Sequence, residues 1–310
     1  MNEVNDVAPS SVAHIVSQPG VVEQVKVALD AAFQDSRRFD HAMLVGPPGM
    51  GKSMVANVIA QEMATDFLEV LGQSVANVGD LNALLLQATA NAVVHIDECH
   101  ELDKKLQTAL HLALDKRKVF IGGGKSVQSI GIADFTLLLS TTDEFCLLQP
   151  LRDRMRLVLR FEFYSEHDLT TLLCQRTRAL GWDVQEELFP LIAQRSRGTP
   201  RWALRLLQAC RRVCRSEGAE TITLEHLHRA CTLEKIDGLG LGPTEQSYLR
   251  LLGDGPMRLN VLASSLGLPA RTVSQVTEPF LVRAGLIAKD DQSRRQLTAA
   301  GYDHLSNFRS

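Results

Sequence analysis

The chain has 310 residues, is 45% apolar and 22% charged, and carries 33 basic against 36 acidic side chains. That is enough apolar material for two or three domains with cores, and it excludes a disordered tail or a small stapled scaffold. Aromatic residues are only 5%, which disfavours an all-β sandwich or a surface that stacks bases, so a helix-rich or α/β fold is expected.

The six cysteines, Cys99, Cys146, Cys174, Cys210, Cys214 and Cys231, are scattered without a C-x-x-C pair. This pattern points to a reducing compartment and no cysteine metal site. No apolar run reaches the roughly 18 residues of a membrane span, and the first residues carry no basic and apolar leader pattern. A soluble, cytoplasmic protein with no membrane contact is expected. By segment, residues 1–165 hold 14 basic and 20 acidic side chains, 166–236 hold 11 and 9, and 244–310 hold 8 and 6. The C-terminal half is mildly basic, less so than a surface that tracks duplex DNA usually is.

In chain order, apolar positions three and four apart predict an amphipathic helix over 21–35, followed by a strand over 42–45. A glycine-rich turn at 46–53 leads into a helix to about residue 64. Further strands are predicted at 67–70, 93–96, 135–139 and 157–163, with helices over 81–88 and 104–114 between them. Strands alternating with helices imply a parallel sheet covered on both faces. Two weakly alternating arms around Gly122, Gly123 and Gly124, within 119–133, predict a hairpin projecting from it. From residue 165 only helices are predicted, over 166–180, 186–194, 201–216 and 224–233. The stretch 237–243, DGLGLGP, is expected to be a linker. Helices over 244–252, 258–266 and 270–284, then two short arms at 286–289 and 295–298, predict a winged helix. The expected domains are 1–165, 166–236 and 237–310.

Gly46-Pro47-Pro48-Gly49-Met50-Gly51-Lys52-Ser53 satisfies G-x-x-x-x-G-K-[ST] directly after a strand and before a helix. The glycines let backbone N–H groups turn inward around a β-phosphate, Lys52 brings a cation to the β/γ oxygens, and the Ser53 hydroxyl can ligate Mg²⁺. Val93-Val94-His95-Ile96-Asp97-Glu98 is a buried-type strand ending in two carboxylates. Asp97 is expected to hold Mg²⁺ through water and Glu98 to polarise the attacking water. A water-activating base separates a hydrolytic ATPase from a kinase. Thr141 and Thr142 end the next strand, where a polar side chain can reach a γ-phosphate.

Arg152, Arg154 and Arg156 place three arginines in five residues, the pattern of an arginine finger acting on a neighbouring subunit or of a solvated charged face. Thr199 and Pro200 open a helix whose first turn carries Arg201, aimed back toward the nucleotide. His41, His95 and His100 do not make metal-ligand spacing, and His95 reads as a strand histidine. In the C-terminal domain Arg271, Lys289, Arg294 and Arg295 lie where they can touch phosphates, beside Asp290 and Asp291, which repel them.

With these residues in view, the chain resembles the RuvB family, the AAA+ motors of Holliday junction branch migration. The resemblance is carried from about Val12 to Leu305 by FDHAMLVGPPGMGKS, Gly79-Asp80, HIDECHEL, PLRDR and RSRGTPR. It implies an AAA+ P-loop parallel-sheet domain, a helical lid and a C-terminal winged helix. It also implies nucleotide contact by the loop 46–53 with Met54, Tyr164 and Arg201, an arginine finger at Arg154, and DNA contact at Arg295. ATP with Mg²⁺, a hexameric ring on duplex or four-way DNA, and a RuvA-type partner at the 119–133 hairpin follow from the same resemblance. A second reading is an ATP-dependent DNA-binding switch or adaptor that does not translocate; a clamp loader or initiator is a third, disfavoured by RGTPR. The chain departs from the family pattern at Ser53-Met54, where two threonines are usual. It departs again at Asp143-Glu144-Phe145, where Arg-Ala-Gly is usual, and in a less basic wing over 289–295.

Overall fold

A computed structural model describes residues 7–122 and 128–307. Among them the chain packs as two compact units, one of the described residues up to 181 with 198–201 and one of residues 182–197 with the described residues from 202 on.

The first unit opens with α1 (Pro19–Gln34), whose Val21, Val25, Leu29 and Ala32 form the buried stripe that a 3.6-residue period gives. Then come β1 (Ala42–Val45), α2 (Lys52–Glu62), β2 (Phe67–Leu71), α3 (Val78–Gln87) and β3 (Val93–Asp97). They are followed by α4 (Lys104–Lys116), β4 (Lys118–Ile121), β5 (Gln128–Gly131), β6 (Thr136–Thr141), α5 (Gln149–Arg152), β7 (Leu157–Arg160) and α6 (Glu166–Leu180). Five strands form one sheet in the order β2-β3-β6-β1-β7, and every pairing is parallel. All six residues of β6 are buried, as a central parallel strand requires when helices cover both faces. The core joins Val94 and Ile96 of β3, Leu137 and Leu139 of β6, Leu81 and Leu85 of α3, and Leu106 and Leu110 of α4.

One sequence expectation changes here and another is met. The strand foreseen over 157–163 pairs only to Arg160, because its partner β1 ends at Val45 and the chain turns away at Gly46. The hairpin forms as β4 paired antiparallel with β5, from Lys118↔Gly131 to Ile121↔Gln128, while its Gly123 and Gly124 lie outside the described residues.

The second unit contains α7 (Leu188–Gln194), α8 (Pro200–Ser216), α9 (Leu224–Glu234), α10 (Pro243–Gly253) and α11 (Leu259–Leu266). The first two residues of α8 belong to the first unit. A bent helix follows as α12 (Ala270–Thr272), a π segment over Val273–Thr277 and α13 (Glu278–Arg283). Its widened register precedes Pro279, which has no N–H to give the carbonyl four residues back. A wing of β8 (Ile287–Lys289) and β9 (Arg295–Leu297) and a last helix α14 (Ala299–Asn307) complete it. Tyr248, Leu249, Leu252, Leu262, Val273 and Leu281 form its core.

The expected linker over 237–243 is in fact packed. The Asp237 carboxylate accepts the N–H groups of Leu239 and Leu241 at 2.8 Å each, and Leu241 is fully buried. A side chain at Gly240 would meet the Arg195 carbonyl. The glycines here serve a tight turn rather than a flexible tether.

Candidate nucleotide-binding site

The loop between β1 and α2 is pinned at its start from both sides. Gly46 donates its N–H to the Thr141 carbonyl at 3.2 Å, and Phe161 donates to the Val45 carbonyl at 2.8 Å. A Cβ at Gly46 would lie 2.7 Å from the Phe161 carbonyl oxygen, so only glycine fits. Gly49 and Gly51 take φ of 82° and 95°, left-handed values that glycine adopts without strain. Pro47 and Pro48 sit nearer solvent, whereas Met50 is buried. Gly51 ends the loop as the residue before α2, and α2 has no side-chain cap and no acid in its first turn. Its first N–H groups are thus left for an anion.

Lys52 is the first residue of α2, and its Nζ donates to the carbonyls of Gly46 and Pro47 at 2.8 and 3.0 Å. Burial pushes its pKa down, against the opposing pull of Glu98 and Asp97. The cation, the turned loop and the first N–H groups of α2 together suit a polyphosphate. Ser53 donates its hydroxyl to Asp97 Oδ2 at 2.8 Å. One hydroxyl and one carboxylate at the start of a phosphate loop are hard oxygen donors, and they fit Mg²⁺ sharing its shell with water and phosphate. Met54 is half-buried behind Gly51, with its Cε 3.2 Å from where a Gly51 Cβ would be.

Asp97 also accepts the N–H of Glu98 at 2.9 Å. Glu98 itself has φ 49° and ψ 46°, a left-handed conformation that costs a non-glycine residue about 1–2 kcal/mol and is common at functional positions. Gly72 makes this possible, since a Cβ there would lie 2.5 Å from the Glu98 carbonyl oxygen. Cys99, next along, is buried and its thiol pKa is pushed up by desolvation, so it is inert.

Of the two threonines at the end of β6, Thr141 closes the strand and is fully buried, and Thr142 follows it and is exposed. The Thr141 hydroxyl accepts from Asp143 N at 2.9 Å and lies 3.1 Å from His100 Nδ1. The expectation that both reach a phosphate is therefore narrowed to Thr142, because the Thr141 oxygen is enclosed by these partners.

Arg201 approaches the loop directly: its Cβ is 3.0 Å from where a Gly49 Cβ would be, and its charge lowers the Lys52 pKa. Tyr164 is buried, points its hydroxyl at the Met50 carbonyl at 3.5 Å, and takes its backbone bond from N–H to the Gly198 carbonyl at 3.0 Å. Burial raises its hydroxyl pKa to about 12, so it acts as a neutral phenol. Gln18, unforeseen from sequence, holds this strand by exchanging two bonds with the backbone of Glu162 at 2.7 and 3.0 Å.

Arg154 lies at the surface, with its Nε 2.8 Å from Asp115 Oδ1 of its own chain. Arg156 pairs with Asp40 at 3.1 Å, and the Arg152 guanidinium stands 5.5 Å from the centre of the exposed Phe145 ring. The departure at 143–145 has a local account: Asp143 caps the turn by accepting from Phe145 N at 3.0 Å, and Glu144 holds Arg160 with two bonds of 2.8 and 3.0 Å.

In the winged helix, Lys289 is exposed, while Arg294 is tied to Asp290 at 2.7 Å. The expected DNA contact at Arg295 needs correction. Arg295 is 8% exposed, and its Nε lies 2.8 Å from Glu278 Oε1, the oxygen that also accepts from Tyr248 at 3.0 Å. Its guanidinium is turned into the unit and is not presented to a phosphate. Sequence alone gave no sign of Glu278 as its partner.

Residues 7–161 match the Holliday junction DNA helicase RuvB P-loop domain, 164–237 the RuvB AAA lid domain and 238–306 the RuvB C-terminal winged helix domain. The "Holliday junction branch migration complex subunit RuvB" of Kosmotoga olearia is 34% identical over 96% of this chain and 89% of its own length. The chain belongs to the RuvB family. The RuvB subunit of Fervidobacterium nodosum is 33% identical over 92% of this chain and 85% of its own. Among solved structures, a RuvB mutant of Thermotoga maritima superposes with a TM-score of 0.85 at 32% identity, covering 97% and 99% of the two chains. The Thermotoga maritima "RuvB Holliday junction branch migration motor" gives 0.82 at 31%, covering 96% and 98%. As a member of the RuvB family the chain is a nucleotide-binding P-loop ATPase with an AAA lid and a winged helix. No helix among the described residues is long and apolar enough to cross a membrane.

Proposed function

We propose that this chain is an ATP-driven DNA motor that moves the branch point of four-way junctions in recombination and DNA repair. In this reading it works as a hexameric ring on duplex DNA with a RuvA-type junction-binding partner. The observation that carries the reading is the Ser53 to Asp97 contact of 2.8 Å at the mouth of the phosphate loop, with Glu98 held next to it. A pair of metal-holding oxygens and an adjacent base are what hydrolysis, as distinct from mere nucleotide binding, requires. The name that the relatives share supports the load on which that hydrolysis acts.

The loop amides and Lys52 hold the β- and γ-phosphates. Ser53, and Asp97 through water, would hold Mg²⁺, which would supply charge neutralisation at the phosphate oxygens. A water in line with the γ-phosphorus gives its proton to Glu98 as its oxygen bonds phosphorus, and the bond to the β–γ bridging oxygen breaks, leaving ADP and phosphate. Thr142 orients that water or the γ-oxygens. Arg154 leaves Asp115 to reach the γ-phosphate bound by a neighbouring subunit and stabilises transition-state charge there. Arg201 senses the phosphate at the start of α8, which runs on into the second unit, so loss of the γ-phosphate acts on the lid. Lys289 and Arg294 meet DNA phosphates. Functionally we assign 1–165 to the nucleotide domain, 166–236 to the lid and 237–310 to DNA, in a cytoplasmic protein.

Duplex translocation tests this reading: the purified protein with ATP and Mg²⁺ should displace streptavidin from end-biotinylated duplex DNA, and Glu98→Gln should bind ATP yet displace none. Assembly on DNA without displacement by the unmodified protein would instead mark an ATP-dependent switch.

A further inference from the structure

We infer that His100 is a positioning residue for hydrolysis, tying the carboxylate of Glu98 to the strand that ends at Thr141. The inference rests on the reading of Glu98 as the base. His100 Nδ1 lies 3.1 Å from Thr141 Oγ1 and 3.4 Å from Glu98 Oε2, and its Nε2 lies 3.5 Å from Glu101 Oε1. One ring nitrogen therefore stands between the sensor strand and the base.

An unpaired oxygen of the base lies at this contact. Glu98 Oε2 is buried and makes no hydrogen bond, although the Glu98 side chain as a whole is 39% exposed. Thr141 Oγ1 accepts the N–H of Asp143 and faces both His100 Nδ1 and the Cys99 thiol with its single proton. A neutral imidazole that accepts there carries its hydrogen on Nε2, toward Glu101, and turns a lone pair toward Glu98. Acceptor then faces acceptor, and Oε2 stays unpaired. In the other tautomer the hydrogen sits on Nδ1 and points to Thr141 Oγ1, with Glu98 Oε2 beside it at 3.4 Å as a polar contact rather than a hydrogen bond. His100 thus turns a lone pair to the base in one tautomer and an N–H edge in the other, and its bond with the Thr141 hydroxyl keeps the ring beside the base in both. Thr142, the next residue, is the exposed one, so whatever engages it at the γ-phosphate acts on Thr141 through one peptide bond.

The surroundings leave the side chain of Glu98 as the part free to respond. Its backbone is locked by Gly72 and by the Asp97 carboxylate. Strands β2, β3 and β6 are tied across by His95, whose Nδ1 is 2.9 Å from Glu69 Oε1 and whose Nε2 is 2.7 Å from Ser140 Oγ.

The test compares the unmodified full chain with His100→Ala, His100→Asn and His100→Gln, with Glu98→Gln as the blank. Steady-state ATP hydrolysis, affinity for a fluorescent ATP analogue and thermal unfolding are measured on each. Alanine should lower kcat about 10- to 100-fold, the loss expected when a catalytic group is misplaced by an ångström or so, with analogue affinity unchanged. Asparagine places an amide atom where Nδ1 stands and should restore most of kcat; glutamine, whose amide falls at the position of Nε2, should not. Wild-type kcat in His100→Ala overturns the inference, and so does a loss shared equally by Asn and Gln or one that follows the unfolding temperature. If Glu98→Gln itself still hydrolyses ATP, the assignment of the base fails, which is a separate result.

Discussion

Gly72 and Glu98 touch backbone to backbone: a Cβ at Gly72 would lie 2.5 Å from the Glu98 carbonyl oxygen and 3.3 Å from the Cys99 Cα. The two residues belong to different strand ends, and the absence of a side chain at one permits the left-handed backbone of the other. Glu98 can therefore turn its carboxyl away from the strand direction without leaving the sheet edge.

Gly72→Ala should displace the base while sparing the phosphate loop. The expected result is a fall in kcat for ATP of about 10- to 100-fold with ATP affinity kept, and a stability loss of about 1–3 kcal/mol from overpacking. Hydrolysis rates beside urea unfolding check both parts.

Asp97→Asn keeps the shape of the acceptor that Ser53 meets but removes its charge. Metal affinity should fall about 10- to 100-fold, so the Mg²⁺ concentration for half-maximal ATP hydrolysis should rise accordingly. A magnesium titration at saturating ATP reads this directly.

His41 gives the first unit an acid-sensitive point. Its Nδ1 accepts the N–H of Leu137 at 2.8 Å, which requires a neutral ring, and burial, with help from the charges of Arg38 and Arg117, lowers its pKa to about 3. The unfolded chain takes up this proton below about pH 6.5 while the folded chain refuses it until about pH 3. Stability is thus fully present above that upper value and falls as pH drops through the window, by about 1.4 kcal/mol per pH unit. Urea unfolding from pH 7.5 to 5 should show this slope, and His41→Asn, whose carbonyl can accept from Leu137, should flatten it.

Arg295→Ala should act on stability first. It leaves Glu278 buried without its cation, a loss of about 3–5 kcal/mol. Replacing both partners, Arg295→Met with Glu278→Leu, should recover most of that loss. Lys289→Ala and Arg294→Ala should leave unfolding unchanged and each lower the salt slope of DNA binding by about one. Differential unfolding and salt titration of a labelled duplex separate these roles.

The parts of this site that sequence made legible are those that chemistry dictates within a few residues. Gly46 to Ser53 had to combine glycine turns with a cation and a hydroxyl, and Asp97-Glu98 had to end a buried strand. The phase of the buried residues likewise foretold the parallel sheet and the helices. What escaped depends on partners far apart in the chain. Gly72 matters only because Glu98 lies against it, and His100 meets Thr141 across 41 residues. Arg295 looked like a surface cation until Glu278 and Tyr248 enclosed it. The glycines of 237–243 suggested a tether because the Asp237 carboxylate that folds them into a turn cannot be seen from composition.

The most direct measurement is dissociation of a synthetic four-way junction by the purified protein with ATP, Mg²⁺ and the RuvA-type protein of its own cell, with Glu98→Gln as the control. Conversion to duplex arms only when ATP, the partner and intact Glu98 are all present is the predicted result. Junctions that persist while ATP is hydrolysed at an undiminished rate would contradict the proposed function.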